Sequence, residues 1–201
     1  MKIVGITGRS GCGKSSATNF LAQLGYPCID ADRVAREIML PGSPCLIQLQ
    51  EHFGIDILDE KGDLRRRLLA DRAFATPEGT RLLTQITQPE ILQRIDVQLE
   101  RAQQSGATIA FVDGAVIVGT PFQNRCDAVI LVSAPYEESV KRICARDGIS
   151  PEMARRRLDA QMPMETLRAA ATMEIVNDGT SEQLESKVRM LLNSLRKEEH
   201  G

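Results

Sequence analysis

Short apolar runs alternate with longer segments of helical periodicity along this chain of 201 residues. Positions 2–7, 108–113 and 128–133 are almost continuously apolar, which is typical of strands buried on both faces of a parallel sheet. Shorter strands are expected at positions 27–30 and 174–177. Strands that alternate with helices predict an α/β fold with a doubly wound parallel sheet of about five strands.

Helices are predicted between these strands. Apolar residues spaced three and four apart indicate a helix after the first strand, and Gly25 ends it. Asp32 is the expected N-cap of a second helix, which Pro41 and Gly42 stop. Three later helices are expected at about 136–146, 150–161 and 181–196.

A long helical segment separates the second strand from the third. Residues 43–104 show mostly helical periodicity. Breaks are expected around Gly54, Gly62, Pro77 and Pro89. This pattern predicts a helical insertion at about 41–105 within a core formed by residues 1–40 and 106–201.

Composition and charge narrow the classes of protein that fit. The net charge of −2 argues against a chain that binds nucleic acid or acidic membranes over its whole surface, so any anion site is local. No apolar run reaches the roughly 18 residues of a membrane span. The five cysteines are odd in number and form no CxxC pair, which favours reduced thiols over disulfides or a zinc site. A strand stands where a signal peptide would, so we expect a cytoplasmic protein. We also expect a monomer or a weak homo-oligomer.

The segment GRSGCGKS at positions 8–15 satisfies the pattern G-x-x-x-x-G-K-[ST] between a predicted strand and a helix. Glycines let successive N–H groups turn toward phosphate oxygens, and the helix amino terminus adds its positive dipole end. Lys14 would reach the β- and γ-phosphates of ATP, and the Ser15 hydroxyl could bind Mg²⁺. The candidate ATP-binding residues here are Gly8, Gly11, Cys12, Gly13, Lys14, Ser15 and Ser16.

Acidic residues follow two of the predicted strands. Asp113 ends the third strand, where it could hold Mg²⁺ through water or simply begin a turn with Gly114. Asp30 and Asp32 follow the second strand, and the two-residue period of a strand would point both in one direction. One of them could accept the proton of an acceptor hydroxyl, although Asp32 could instead only cap a helix.

Three groups of arginines are candidates for binding phosphate. At least one residue of the run 65–67 could bind an acceptor phosphate bidentately. Arg142 and Arg146 lie four apart on one helix face, and a lid at about 142–165 could place them over the transferred phosphoryl group. A solvated helix face is the alternative, and it suits the later arginines of 155–157 best.

Cys12 lies inside the loop between two glycines. Because a helix amino terminus and Lys14 both stabilise a thiolate, we expect Cys12 to react with alkylating agents faster than Cys28, which is placed in a buried strand. The alternative is that the Cys12 side chain fills a small-residue position and turns away from solvent.

Five segments follow one another in order along nearly the whole chain: ITGRSGCGKSS, IDADRVAREIMLPG, GDLRRRLLADRAF, VKRICARDGISPEMARRRLDAQ and IVNDG. Together they resemble the dephospho-coenzyme A kinase family. The resemblance implies a Mg²⁺-dependent kinase that uses ATP to phosphorylate the ribose 3′-hydroxyl of dephospho-coenzyme A. It also implies a P-loop core, a helical acceptor-binding insertion and a lid. The alternatives are another P-loop kinase of a small molecule or nucleotide, and a nucleotide-binding regulatory protein without turnover.

The motifs and the resemblance together assign roles to particular residues. Those that would bind the acceptor are Asp30, Asp32 and Arg66. Those that would act in catalysis are Lys14, Arg142, Arg146 and Asp32, with Asp32 as the general base. Asn177 would lie near the adenine of ATP, and Ser15 and Asp113 would serve the metal.

Four positions depart from the family's pattern. Gln88 replaces the histidine of a His-Pro pair. Ala115 and Gly119 replace the proline and the glutamate of a P-L-L-x-E segment, and Thr172 replaces an aspartate. These positions are expected to line or support the acceptor side, so they bear on the acceptor more than on ATP.

Overall fold

The computed structural model describes residues 1–114 and 117–197. Its strands are β1 (Lys2–Thr7), β2 (Cys28–Asp30), β3 (Ile109–Asp113), β4 (Ala128–Ser133) and β5 (Met173–Val176). Its α-helices are α1 (Lys14–Gln23), α2 (Ala31–Glu37), α3 (Pro44–Phe53), α4 (Arg66–Ala73), α5 (Pro77–Gln104), α6 (Tyr136–Asp147), α7 (Pro151–Asp159), α8 (Met164–Ala170) and α9 (Ser181–Lys197). Short 3₁₀ helices lie at Ile55–Ile57 and Pro121–Arg125.

The five strands form one sheet in the order β2-β3-β1-β4-β5. β1 pairs in parallel with β3 and with β4, and β4 pairs in parallel with β5. The register places Ile6 beside Asp113 and Thr7 beside Leu131. Every residue of β3 and β4 is buried, as expected for central strands of a parallel sheet covered on both faces. The predicted doubly wound parallel sheet is therefore confirmed.

The main hydrophobic core lies between the sheet and helices α1 and α9. Its buried side chains include Val4, Ile6, Phe111, Ile130 and Val132 from the strands, and Phe20, Leu21, Leu184, Val188 and Leu192 from the two helices. Each such side chain contributes about 1.5–3 kcal/mol when it is removed from water. This packing fixes the carboxyl end of β1, where the glycine-rich loop begins.

A smaller hydrophobic cluster joins α6 to α7. It consists of Val140 and Ile143 from α6 with Ala154 and Leu158 from α7. Ser150 is the N-cap of α7, and its hydroxyl accepts a hydrogen bond of 3.3 Å from the Met153 N–H. The segment expected to form a lid therefore contains a well-defined helix that packs on α6.

The chain divides into two compact units, one formed by residues up to Ile29 and from Ser105 onward, the other by Asp30–Gln104. Within the second unit, α5 packs against α2, α3 and α4. α5 continues through Pro89, so the predicted break at that residue is wrong. Pro89 and Gln85 are both exposed, and water can satisfy the Gln85 carbonyl that loses its helical donor.

Among the described residues, none of the helices combines the length and the apolar character that crossing a membrane requires.

Candidate active site

The loop between β1 and α1 has the backbone geometry of a phosphate cradle. Gly11 and Gly13 have φ values of 75° and 90°, in the left-handed region that favours glycine. An added Cβ on Gly8 would lie 2.4 Å from the Val132 carbonyl oxygen, so no side chain fits there. Gly13 is the N-cap of α1 and has no side chain with which to cap the first turn. An anion can therefore be bound by the first N–H groups of α1.

Lys14 and Asp113 form an ion pair at the end of the sheet. Lys14 begins α1, and Asp113 is the last residue of β3, in register with Ile6 of β1. Asp113 is only 8% exposed, so its carboxylate is held largely away from bulk water. A charge in such a position requires a partner, and the lysine ammonium provides one. The register of the two parallel strands thus brings the loop lysine and the strand aspartate together.

Arg142 and Asn177 support the loop through its carbonyl groups. The Arg142 guanidinium donates to the carbonyls of Gly11 and Asn177, each at 3.3 Å. Asn177, 7% exposed, donates its side-chain amide to the Cys12 carbonyl at 2.9 Å. Carbonyls fixed in this way leave the N–H groups of the loop to face an anion. The structure therefore places Arg142 and the Asn177 side chain against the loop backbone.

Arg146 lies apart from these contacts. Its Nε and Nη2 atoms donate to the Asp147 carboxylate at 2.7 and 3.0 Å, and the side chain is 61% exposed. Arg157 pairs with the same carboxylate. Asp147 therefore links the end of α6 to α7, and the structure does not bring Arg146 to the phosphate loop.

Three residues that the sequence analysis did not single out also contact the loop or belong to it. The Arg9 guanidinium donates to the carbonyl of Leu158 in α7. The Ser10 N–H donates to Gln161 Oε1 at 2.9 Å, and Gln161 Nε2 donates to the Ser10 hydroxyl at 2.7 Å. Gln161 ends one of the five segments that carry the family resemblance, but neither periodicity nor spacing reveals its contact with Ser10, because that contact spans 151 positions of sequence.

Cys12 is buried and 2% exposed, which contradicts the expectation of a reactive thiol. Burial raises the pKa of the Cys12 thiol, and the hydrogen bond and charge of Lys14 offset only part of that shift. Its Sγ would lie 2.8 Å from a Cβ added to Gly8, so the side chain fills the space beneath the loop. The alternative, that Cys12 fills a small-residue position and turns away from solvent, is correct.

Ser15 and Ser16 lie in the first turn of α1, and their small side chains are exposed.

Asp30 and Asp32 differ in structural role. Asp30 ends β2 and is the N-cap of α2, where its Oδ1 accepts a hydrogen bond of 2.8 Å from the Arg33 N–H. The expectation that Asp32 caps this helix is wrong, because the cap lies two residues earlier. Asp32 stands in the first helical turn, so the two-residue strand period from which a shared direction was expected does not apply to it. Both side chains are exposed.

Arg66 is exposed at the start of α4 in the second unit. Its helix is held by Arg72, which pairs bidentately with Asp56 at 2.6 and 2.5 Å and also donates to the Phe53 carbonyl. Hydrogen bonding to Arg72 lowers the pKa of Asp56. The guanidinium of Arg72 thus forms its contacts within the second unit, whereas the side chains of residues 65–67 are exposed.

The departures from the family pattern have structural explanations at two positions. The Thr172 hydroxyl accepts from the Val129 N–H at 2.9 Å and donates to the Val129 carbonyl at 3.0 Å. This ties the amino ends of β4 and β5, at the end of the sheet opposite the loop, and gives Thr172 a structural role. Gly119 has a φ of 76° and forms a turn in which its N–H donates to Gln123.

The other two departures from the family pattern are at Gln88 and Ala115. Gln88 lies partly buried within α5. Ala115 lies outside the described residues, as does Val116.

Comparison with known proteins agrees with this geometry. A family model described as "Dephospho-CoA kinase" matches residues 2–183. A dephospho-CoA kinase from Corynebacterium glutamicum is 36% identical over 189 residues, which cover 94% of this chain and 97% of that protein.

Two solved structures extend the likeness to three dimensions. A protein from Thermus thermophilus superimposes with a TM-score of 0.82 at 33% identity, covering 96% of this chain and 97% of the other. The dephospho-CoA kinase from Campylobacter jejuni gives a TM-score of 0.71 at 26% identity, covering 99% and 100%. Because the family model spans most of the sequence and the full-length relatives agree with it, the chain belongs to the dephospho-CoA kinase family.

Proposed function

We propose that this protein transfers the γ-phosphoryl group of ATP to the ribose 3′-hydroxyl of dephospho-coenzyme A, the last step of coenzyme A synthesis. The observation that carries the proposal is the fixed phosphate loop, with its carbonyls held by Arg142 and Asn177 and its lysine paired with Asp113. Membership of the dephospho-CoA kinase family supplies the identity of the acceptor.

ATP binds to the loop through backbone N–H groups and Lys14. Phosphoryl transfer depends mainly on positioning and on neutralising charge at the transferred group, because the transition state spreads charge over its oxygens. No side chain fits at positions 8, 11 and 13, and the glycines there let the backbone turn its N–H groups toward the phosphates. The ammonium of Lys14 exchanges part of its interaction with Asp113 for the phosphates. Ser15 and Ser16 contribute the next N–H groups at the start of α1.

The donor set at this edge of the sheet fits Mg²⁺. Ser15 offers an exposed hydroxyl, and Asp113 offers a carboxylate at the strand end. Among residues 1–114 and 117–197, no group of three or more acidic, cysteine or histidine side chains forms a metal cage. That agrees with Mg²⁺, which usually takes one or two protein oxygens together with substrate phosphates and water. Bound Mg²⁺ would neutralise charge that develops on the transferred phosphoryl group.

The second unit supplies the acceptor-binding residues. Asp32 accepts the proton of the ribose hydroxyl, and Arg66 binds an acceptor phosphate through its planar guanidinium. The structural support is that Asp30, and not Asp32, is the helix cap. Capping therefore does not account for Asp32, and Asp30 serves the acceptor by fixing the first turn of α2.

The segment at about 142–165 acts as the lid, with Arg142 at its base. Arg142 contributes through the loop backbone that it holds, and Arg146 through the Asp147 link between α6 and α7. The enzyme works in the cytoplasm as a monomer or weak homo-oligomer, without nucleic acid or membrane. The net charge of −2 supports this part of the proposal.

A panel of acceptors separates the proposed function from its alternatives. ADP release is measured with ATP and Mg²⁺ in the presence of dephospho-coenzyme A, shikimate, nucleosides and nucleoside monophosphates. The proposal predicts stimulation by dephospho-coenzyme A above the water background. Stimulation by another acceptor instead would indicate a different small-molecule kinase. ATP binding without stimulation by any acceptor would indicate a regulatory protein.

A further inference from the structure

A reciprocal pair of hydrogen bonds joins Gln161 to Ser10 in the amino-terminal part of the phosphate loop. The Ser10 N–H donates to Gln161 Oε1 at 2.9 Å, and Gln161 Nε2 donates to the Ser10 hydroxyl at 2.7 Å. A primary amide can donate and accept at the same time, so one side chain satisfies both groups of Ser10. The pair lies within the first compact unit.

Two further contacts fix the helix that precedes Gln161. The Arg9 guanidinium donates to the Leu158 carbonyl, and the Tyr136 hydroxyl donates to Asp159 Oδ1 at 2.9 Å. Leu158 itself is 1% exposed within the cluster that joins α6 to α7. Gln161 therefore follows a helix end with a fixed position, and its amide is a rigid support for Ser10.

The pair supports the loop at Ser10, beside the part of the loop that Arg142 and Asn177 hold. Arg142 and Asn177 hold the carbonyls of Gly11 and Cys12. The glycines of the loop give its backbone more freedom than other residues would, and ordering that backbone on binding costs free energy. A loop already ordered at Ser10 loses less conformational entropy when phosphates bind.

We propose that Gln161 is a positioning residue for ATP binding. Gln161 holds Ser10, and thereby the amino-terminal part of the phosphate loop, in the arrangement that receives the phosphates. Gln161 acts through Ser10 and needs no contact with the reacting atoms. The inference deepens the proposed function and rests on it for the identity of the ligand.

The test replaces Gln161 with methionine, which is similar in length and cannot form either hydrogen bond. We expect Gln161→Met to raise the KM for ATP by about 3- to 30-fold, as loss of two hydrogen bonds implies, with kcat changed by less than about threefold. Exchange of the Ser10 amide proton, followed by NMR without nucleotide, should accelerate. The matched control is Gln23→Met on the exposed face of α1, which should change neither measurement.

A double-mutant cycle with Ser10→Ala distinguishes positioning from a general loss of structure. Ser10→Ala removes only the hydroxyl contact, so its effect on the KM for ATP should be smaller, and it should add nothing in the Gln161→Met background. Thermal unfolding of each variant checks that the fold is kept. If Gln161→Met does not fold, Ser10→Ala carries the test through its own KM for ATP.

Unchanged Ser10 exchange together with an unchanged KM for ATP would overturn the inference, and so would a lower KM. If the wild-type protein does not phosphorylate dephospho-coenzyme A, the proposed function fails. ATP affinity measured by calorimetry on the same variants then still decides the role of Gln161.

Discussion

The side-chain amide of Asn177 donates to the main-chain carbonyl of Cys12 at 2.9 Å, across 165 positions of sequence. The same nitrogen would lie 2.1 Å from a Cβ added to Gly13. The backbone of the phosphate loop and the residue after β5 are thus packed so closely that only glycine fits between them.

We predict that Gly13→Ala weakens ATP binding. It should also lower the free energy of unfolding by more than the left-handed backbone conformation at this position would by itself. Gly106→Ala is a matched control, because Gly106 has a φ of 83° against 90° for Gly13 and has open space around its missing Cβ. Both variants should lose about 1 kcal/mol from backbone strain. Gly13→Ala should lose about 1–3 kcal/mol more as Asn177 is displaced.

Thermal unfolding and the KM for ATP measure this difference. Equal losses of stability in the two variants, with an unchanged KM for ATP in Gly13→Ala, would show that the contact with Asn177 has no role.

Lys14→Met should abolish turnover. The variant removes the ammonium that would neutralise the transferred phosphoryl group, and loss of such preorganised help lowers kcat by at least about 10²-fold. It also leaves the Asp113 carboxylate, 8% exposed, without its partner in the ion pair. Steady-state ADP release is the measurement, and Lys141→Met on α6 is the control, because Lys141 forms only an exposed pair with Glu138. Near-normal kcat in Lys14→Met would contradict the role of the loop.

Asp32→Asn should lower kcat by roughly 10²–10⁴-fold, as loss of a general base does, while ATP affinity stays nearly unchanged. The cap of α2 should be kept, since it is Asp30. Asp71→Asn, on the exposed surface of α4 in the same unit, is the control. Wild-type kcat in Asp32→Asn would exclude this residue as the base, and Asp30 would become the candidate.

Cys12 should be among the slowest cysteines to react with an alkylating agent. It is 2% exposed, and burial raises its pKa, so little thiolate is present or accessible near neutral pH. Burial also raises the pKa of Cys28 to about 11. Cys144 is partly exposed on α6 and should be labelled sooner than either. Mass spectrometry after brief alkylation measures the order, and preferential labelling of Cys12 would show that the loop opens in solution.

Much of the fold could be predicted because the parallel strands are short apolar runs bounded by turns. The bounds of β1 agree with the expected run at positions 2–7, and glycine and lysine spacing located the phosphate loop. Helix interruptions were harder to predict. Pro89 is tolerated within α5 where its surroundings are exposed, and the short helix α8 has too few residues to give a clear period.

The sequence motif located the candidate site, but the side chains that hold its loop in place could not be predicted. Sequence spacing cannot show that Arg142 reaches the Gly11 carbonyl or that Gln161 reaches Ser10, because tertiary packing brings these residues together. The Cys12 expectation failed for a related reason. A helix amino terminus and a lysine favour a thiolate, but desolvation beneath the loop outweighs both.

The most direct test of the account is chromatographic measurement of coenzyme A formed by the wild-type protein from ATP, Mg²⁺ and dephospho-coenzyme A, with ADP measured in the same samples. We expect coenzyme A and ADP in a ratio of about one to one, as transfer of a single phosphoryl group requires. We expect neither product above background in Lys14→Met. ADP without coenzyme A, or no ADP from the folded wild-type protein, would contradict it.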